Sequence, residues 1–323
     1  MKRFSLPARQ RGVAVITALL LTALAITVVA SLFWQQQVQV RSMENQRLRL
    51  QTQWAMRGMV DFARFWLRQD NPMLTALDGV WATPIEEARL DDYVDREKVD
   101  TEKFDATVSG RALDAQARFN ITNLVDATGT INPKQVLAYQ RLLSNMKLDS
   151  GLAQATADAV LRAKPKPRSS GTDGKTPPAA PVATGGSSEP VAFTQVEDLL
   201  AVPGYTPQMI EQLRDVVIIL PELTPINVNT APAEVLAAVT MMSLSEASAL
   251  TLSNPRKKFV DFTNFKNNIN GNVIEGVELD VKSRYFLTVI RVRLDRAALD
   301  AVALVNRKTD PQRTTSLVWL REN

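Results

Sequence analysis

Hydrophobic and polar positions change regime several times along this chain. From Val13 to Trp34 no residue carries a charge, and about 22 residues cross ~30 Å of hydrocarbon as a helix. Thr17, Thr22, Thr27 and Ser31 recur within that run; such hydroxyls bond back to the i−4 carbonyl or across to a neighbouring helix. No proline appears between Val13 and Pro72. The pattern therefore predicts one helix from Val13 to Asp70, on the order of 87 Å long at ~1.5 Å per residue. Beyond Trp34 it turns amphipathic. Val38, Met43, Leu50, Trp54, Phe62, Phe65 and Trp66 fall mostly three, four or seven apart, with Gln and Arg between them, which reads as a core-facing stripe. Asp70-Asn71-Pro72 ends the helix.

An acidic, poorly periodic stretch follows from Ala76 to Lys103. Alternation then predicts two short strands, Phe104-Ala106-Val108 and Leu113-Ala115-Ala117-Phe119, with Gly110 at the turn. Helical spacing returns over Pro133 to Leu148 and Ser150 to Lys164. Residues 165–190 are rich in Pro, Gly, Ser and Thr and poor in large apolar residues, and read as a flexible loop. Further helices are expected around Phe193 to Tyr205, where Thr194 and Glu197 fit a capping box and Pro203-Gly204 ends the run. Another is expected after Ile226, where Asn229 or Thr230 is placed to cap it and Pro232 suits its first turn. Arg256-Lys257-Lys258 with Phe259, Phe262 and Phe265 predicts a short amphipathic helix. Period two resumes at Tyr285-Leu287-Val289, Ala301-Ala303-Val305 and Leu317-Val318-Trp319, three antiparallel strands with a turn near Asp310-Pro311. The fold class is α+β: a long membrane-spanning helix and an antiparallel sheet, with a large all-α region inserted between its strands.

Charge sharpens this picture. The chain of 323 residues has a formal charge of +4, but Lys2, Arg3, Arg9 and Arg11 all precede Gly12 with no acid among them. The remainder is neutral, so the basic isoelectric point is no sign of nucleic-acid binding. The leading charges orient the span with its N-terminus in the cytoplasm and the bulk of the chain exported. The run is too long for the core of a cleaved secretory signal, and no small-x-small site follows it. An uncleaved signal anchor fits the hydropathy equally well.

Candidate chemistry is sparse. There is no cysteine and no histidine, which excludes Ser-His-Asp and Cys-His nucleophiles and makes a zinc site implausible. Glu86, Glu87, Asp91, Asp92, Asp95 and Glu97 form a charge run, read first as a solvated loop. Calcium is the alternative, with Asp91, Asp92 and Asp95 as its candidate ligands. Val-Pro-Gly at 202–204 and Asn-Val-Asn-Thr-Ala at 227–231 are similar to segments of helix-hairpin-helix DNA-binding modules. The Gly-x-Gly amides that would meet a phosphate are missing, and no lysine or arginine flanks either turn.

The basic leader, a glycine and an apolar run resemble the class III signal of type IV pilins and type II secretion pseudopilins. That resemblance implies peptidase cleavage between Gly12 and Val13, with Val13 the N-methylated first residue. The fifth residue is then Thr17, where these families usually carry glutamate. A missing glutamate is typical of the minor pseudopilin family called general secretion pathway protein K. The segment from Asp114 to Leu124, with Arg118-Phe119-Asn120 at its centre, and Pro225-Ile226-Asn227-Val228-Asn229-Thr230-Ala231 also resemble motifs of that family. The resemblance implies a leader at 1–12, the long helix at 13–70, a pilin-like α+β part at 71–123 and 276–323, and a helical insert at 124–275. It further implies a non-enzymatic subunit at the tip of a periplasmic fibre that exports folded proteins. Its partners would be minor pseudopilins I and J, the major pseudopilin, the prepilin peptidase and the inner-membrane secretion platform. A minor pilin of a type IV pilus, a membrane-tethered DNA receptor for competence and a periplasmic enzyme on a signal anchor are the alternatives.

Overall fold

The computed structural model describes residues 11–89, 106–164, 192–253, 255–308 and 313–322. With no proline to remove a ladder hydrogen bond, the N-terminal run forms one uninterrupted helix, α1 (Arg11–Gln69), of 59 residues. Short strand β1 (Ile85–Arg89) and β2 (Ala106–Asp114) follow. The insert contains β3 (Phe119–Asn120), α2 (Pro133–Asn145), α3 (Leu152–Ala163), α4 (Pro207–Leu213), β4 (Val217–Ile218), β5 (Ile226–Asn227), α5 (Ala233–Val239), α6 (Leu244–Thr251), α7 (Phe262–Asn268) and β6 (Leu279–Asp280). The chain closes with β7 (Tyr285–Leu294), β8 (Ala297–Arg307) and β9 (Thr315–Glu322).

Five strands form one antiparallel sheet in the order β1-β2-β7-β8-β9. The pairing of β2 with β7 sets Asp114 opposite Phe286, so the chain leaves the sheet and re-enters it at the same end. Everything between those residues is an excursion from adjacent strands. It is nearly all helical, with two-residue parallel pairs β3–β4 and β5–β6. Its core runs from Phe119 through Tyr139, Leu199 and Leu236 to Phe265 and Val281.

The sheet holds α1 by one face only. Met56, Met59 and Val60 meet Val108, Ile290, Val292, Ala301 and Ala303; burying each of the helix side chains contributes about 1.5–3 kcal/mol. Farther along, Leu67 joins Trp81, Phe286 and Val305. The stripe expected to face the core is therefore mostly the wrong one. Val38, Met43, Leu50, Trp54 and Phe65 are exposed, and only Phe62 and Trp66 are half-buried. Two apolar stripes share this helix, and spacing alone does not say which the sheet takes.

Other local expectations shift for steric reasons. Gly110 makes no turn: it sits inside β2 opposite Ile290, where an added Cβ would lie 3.1 Å from the Val289 carbonyl. One strand runs from Ala106 through Gly110 to Asp114; of the second predicted strand only Leu113 belongs to it, Ala115 and Ala117 form a 3₁₀ turn and Phe119 lies in β3, while Phe104 lies outside the described residues. The expected capping box of Thr194 and Glu197 moves by one residue, with Asp198 accepting from the backbone N–H groups of Thr194 and Gln195 at 2.7 and 3.0 Å. It opens a 3₁₀ turn, Val196–Ala201. Neither Asn229 nor Thr230 caps α5, which begins after Pro232 with no side-chain cap. Asn132 accepts from Lys134 and Gln135 at the start of α2, and Asp261 caps α7. The turn at Asp310-Pro311 lies outside the described residues.

Candidate functional site: the long helix and its buried anchor

Two features are built with evident constraint: the free length of α1 and the polar joint beneath its far end. From Ala14 to Arg47 every side chain of α1 is exposed; Arg296, between β7 and β8, reaches Asn45 Oδ1 at 2.8 Å and Glu44 at 3.6 Å, and the sheet packs against the helix only from Leu48. The helix is long and apolar enough to cross a membrane. Within that length, Thr17 donates from Oγ1 to the Ala14 carbonyl at 3.0 Å, Thr22 to Leu19 at 2.9 Å and Thr27 to Leu24 at 2.7 Å. These bonds run to i−3 rather than the expected i−4, but the consequence is the same. Each hydroxyl is satisfied inside its own helix and adds no unpaired polar group. Gly12 and Val13 lie in the first turn of α1.

The joint at the other end is a continuous polar network in the interior. Arg307, at the end of β8, is 1 % exposed. Its guanidinium donates to Asp70 Oδ2 at 3.3 Å, the Leu67 carbonyl at 3.4 Å, Thr75 Oγ1 at 2.9 Å and the Ser283 carbonyl at 3.2 Å. It also lies over the Phe286 ring, 4.6 Å from the centroid. One planar fork thus binds the end of α1, the loop after it and the lead into β7. Burial lowers the Arg307 pKa and the Asp70 carboxylate raises it; an arginine keeps its charge regardless.

Asp114 is the second node. Its Oδ2 accepts from Ser283 Oγ at 2.6 Å, Thr230 Oγ1 at 2.6 Å and Asn227 Nδ2 at 2.8 Å, and its Oδ1 accepts from the Gln116 N–H at 2.8 Å. Burial lifts this carboxyl above the usual range and the four donors pull it back. Asn227 also donates to the Thr75 carbonyl, while Asn229 exchanges bonds with the Phe259 backbone. Asn120 and Asn123 hold residues 220–224 in the same manner. Of the two residues expected to cap a helix, Thr230 instead ties the insert to the sheet at Asp114 and Asn229 braces the insert internally, while Asn227 reaches the loop after α1. Their signal was present in the Asn-rich motifs, but short polar side chains serve caps and long-range bonds alike.

The remaining candidate residues fall in different places. Asp91, Asp92 and Asp95 lie outside the described residues. Among the described residues no three carboxylates come close enough to hold a metal ion. Arg256 donates to the Ala231 carbonyl at 2.6 Å, Lys257 lies over the Phe259 ring and Lys258 pairs with Asp78 at 2.8 Å. Gly204 adopts φ +107°, and a Cβ there would lie 2.6 Å from Leu152 Cδ2, so its conformation serves packing against α3.

A long apolar helix laid on an antiparallel sheet, with an insert between adjacent strands, defines a membrane-anchored, pilin-like subunit with a helical domain. Two models of type II secretion system protein K match residues 117–222 and 226–282, together just over half of the chain. The chain belongs to the protein K family, the minor pseudopilins of type II secretion. It is 26 % identical over 321 residues to the type II secretion system protein K of Pseudomonas aeruginosa strain PAO1, covering 93 % of this chain and 90 % of that one. Its fold matches a chain of the GspK–GspI–GspJ complex of the enterotoxigenic Escherichia coli type 2 secretion system, with a TM-score of 0.66 and 18 % identity. That match covers 87 % of this chain and 99 % of the other.

Proposed function

We propose that this chain is a structural subunit at the tip of the type II secretion pseudopilus, where it caps the fibre and initiates its assembly for export of folded proteins. The observation that carries this reading is α1, exposed from Ala14 to Arg47 and packed against its own sheet only beyond that. Such a rod needs lipid before assembly and neighbouring helices after it. The partners are minor pseudopilins I and J, which accompany the related chain of the Escherichia coli complex, together with the major pseudopilin and the secretion platform. Prepilin peptidase cuts between Gly12 and Val13 and leaves Val13 as the N-methylated end. The N-terminus starts in the cytoplasm, the helix spans the inner membrane and residues 71–323 reach the periplasm. There the excursion between Asp114 and Tyr285, wider at both ends than the expected 124–275, acts as the inserted domain, and the chain performs no catalysis.

Thr17 supports a place at the tip. In pilin-like fibres a glutamate at this position meets the N-terminal amine of the subunit ahead of it. A tip subunit has nothing ahead, and an unpartnered carboxylate in apolar surroundings costs several kcal/mol, about the effective penalty for one buried ion. The Thr17 hydroxyl is satisfied by the Ala14 carbonyl and needs no such partner. N-terminal sequencing of membrane-extracted protein should begin at Val13; a start at Met1 would sink the processing claim. In a secretion assay with recovery of I and J, Thr17→Val should match wild type and Thr17→Glu should gain nothing and impair the tip complex. Incorporation of Thr17→Glu along the fibre body with secretion intact would remove the shape of the exported domain as the reason for tip placement. Wild-type behaviour of both variants would overturn the charge argument.

A further inference from the structure

The outward face of α1 carries a repeat that the fold itself does not use. Leu21, Leu32, Met43, Trp54 and Phe65 are spaced eleven apart, and all are 47–67 % exposed. Eleven residues are close to three full turns, so such residues drift only about 20° per step and mark a nearly straight seam. Met43, Trp54 and Phe65 lie about 140–180° around the helix from buried Met56. The seam therefore runs on the side the sheet leaves open.

Gly58 sits on the same seam, one turn beyond Trp54, and is exposed. In mid-helix, glycine costs about fivefold in the folding equilibrium against alanine. A Cβ at position 58 would meet nothing within 4 Å, so the chain's own packing does not require glycine. The result is a notch beside a tryptophan knob. Two arginines frame it: Arg57 lies 5.0 Å from the Trp54 ring centroid and Arg68 lies 5.8 Å from that of Phe65. Between Arg41 and Gln69 the helix has arginines at 41, 47, 49, 57, 64 and 68 against only Glu44 and Asp61.

We propose that this seam, from Met43 through Trp54, Gly58 and Phe65, seats one helix of a different pseudopilin, with closest approach at Gly58. Like charge excludes a second copy of this chain as the occupant, because two such faces would bring arginine to arginine. The fitting partner is an amphipathic helix whose apolar stripe is flanked by carboxylates that reach Arg57 and Arg68. A knob from that helix fills the notch, and an eleven-residue register lets two straight helices keep contact over ~33 Å, the rise from Met43 to Phe65. This inference deepens the fibre-subunit reading and rests on it.

The test uses the full chain in detergent, co-purified with pseudopilins I and J of the same system. Gly58→Ala and Gly58→Leu should melt at or above the wild-type temperature when the chain is alone. Gly58→Leu should cut recovery of the partner at least tenfold. Arg57→Glu with Arg68→Glu should also reduce recovery and remove its dependence on salt. Wild-type recovery in both Gly58→Leu and the double arginine variant would overturn the seam while leaving the fibre-subunit reading standing. Failure of the wild-type chain to recover either partner would overturn both. Wild-type self-association abolished by Gly58→Leu would identify a second copy as the occupant and refute the charge argument.

Discussion

Replacing Arg307 by methionine tests whether the buried joint holds α1 to the rest of the protein. The substitution keeps most of the volume, but it removes a guanidinium that lies over the Phe286 ring and reaches four acceptors between 2.9 and 3.4 Å. Asp70 would then be left nearly buried, at 9 % exposure, with its cationic partner gone. Removing one member of a buried ion pair typically costs about 3–5 kcal/mol. The unpaired Ser283 carbonyl adds to this, and relaxation of Asp70 toward solvent subtracts from it, so about 3–4 kcal/mol is expected. At roughly 2–4 °C per kcal/mol for domains of 150–250 residues, the melting temperature should fall by about 6–16 °C. Arg307→Lys keeps the charge but has no planar fork; it loses about half of the contacts and should fall about 1–3 kcal/mol short of wild type. Circular dichroism melts of the full chain in detergent, run beside a denaturant titration, provide the measurement. The double variant Arg307→Met with Asp70→Asn should cost less than the sum of its parts, because the stranded charge is gone. A loss below about 1 kcal/mol for Arg307→Met would show that hydrophobic packing alone holds the joint.

Other consequences are equally direct. Gly204→Ala introduces a Cβ 2.6 Å from Leu152 Cδ2 at φ +107°, and conformational strain with a partly relieved clash should cost about 1–3 kcal/mol, read as a lower melting temperature. Asp126 accepts from the Thr128 N–H, the Thr128 hydroxyl and the Thr130 N–H at 2.7–2.9 Å, and these bonds hold its pKa below the usual carboxylate value. Its contribution is therefore present above the unfolded value of about 4 and lost as pH falls through the lower folded value. Protection of the Thr128 and Thr130 amides against hydrogen exchange, taken relative to the intrinsic rate at each pH, should fall as the pH drops below the ordinary carboxylate value of about 4, and Asp126→Ala should remove it at every pH. A loop unaffected by acid would refute that role.

How legible the molecule was in its sequence varies by element. The helix from Val13 to Asp70 was readable to within two residues because nothing in it breaks a backbone ladder. Strands β7 and β8 were visible because apolar residues recur at every second position along them, as in Tyr285-Leu287-Val289 and Ala301-Ala303-Val305; β9 was visible from its apolar run Leu317-Val318-Trp319 although little of it is buried. The covered face of α1 was not readable: Met56, Met59 and Val60 compete with Met43, Trp54 and Phe65, and only tertiary packing decides between them. Gly110 was misleading because glycine marks turns and close backbone approaches equally well. The joint was half legible. Asp114, Asn227 and Thr230 stood out in motifs, but their partners Thr75, Ser283 and Arg307 are distant in sequence and belong to types common on any surface. A polar side chain close to a helix start suggests a cap; only three dimensions show that it reaches more than a hundred residues away, as Asn227 does to Asp114 at 2.8 Å.

The central claim, that this chain joins other pseudopilins as a single subunit at the fibre tip, is tested most directly by its stoichiometry. Native mass spectrometry of the assembly recovered from cells expressing the full set of pseudopilins should find one copy of this chain bound with I and J. The number of copies should stay constant as the amount of major pseudopilin varies. A copy number that rises with fibre length would make the chain a body subunit and contradict the account.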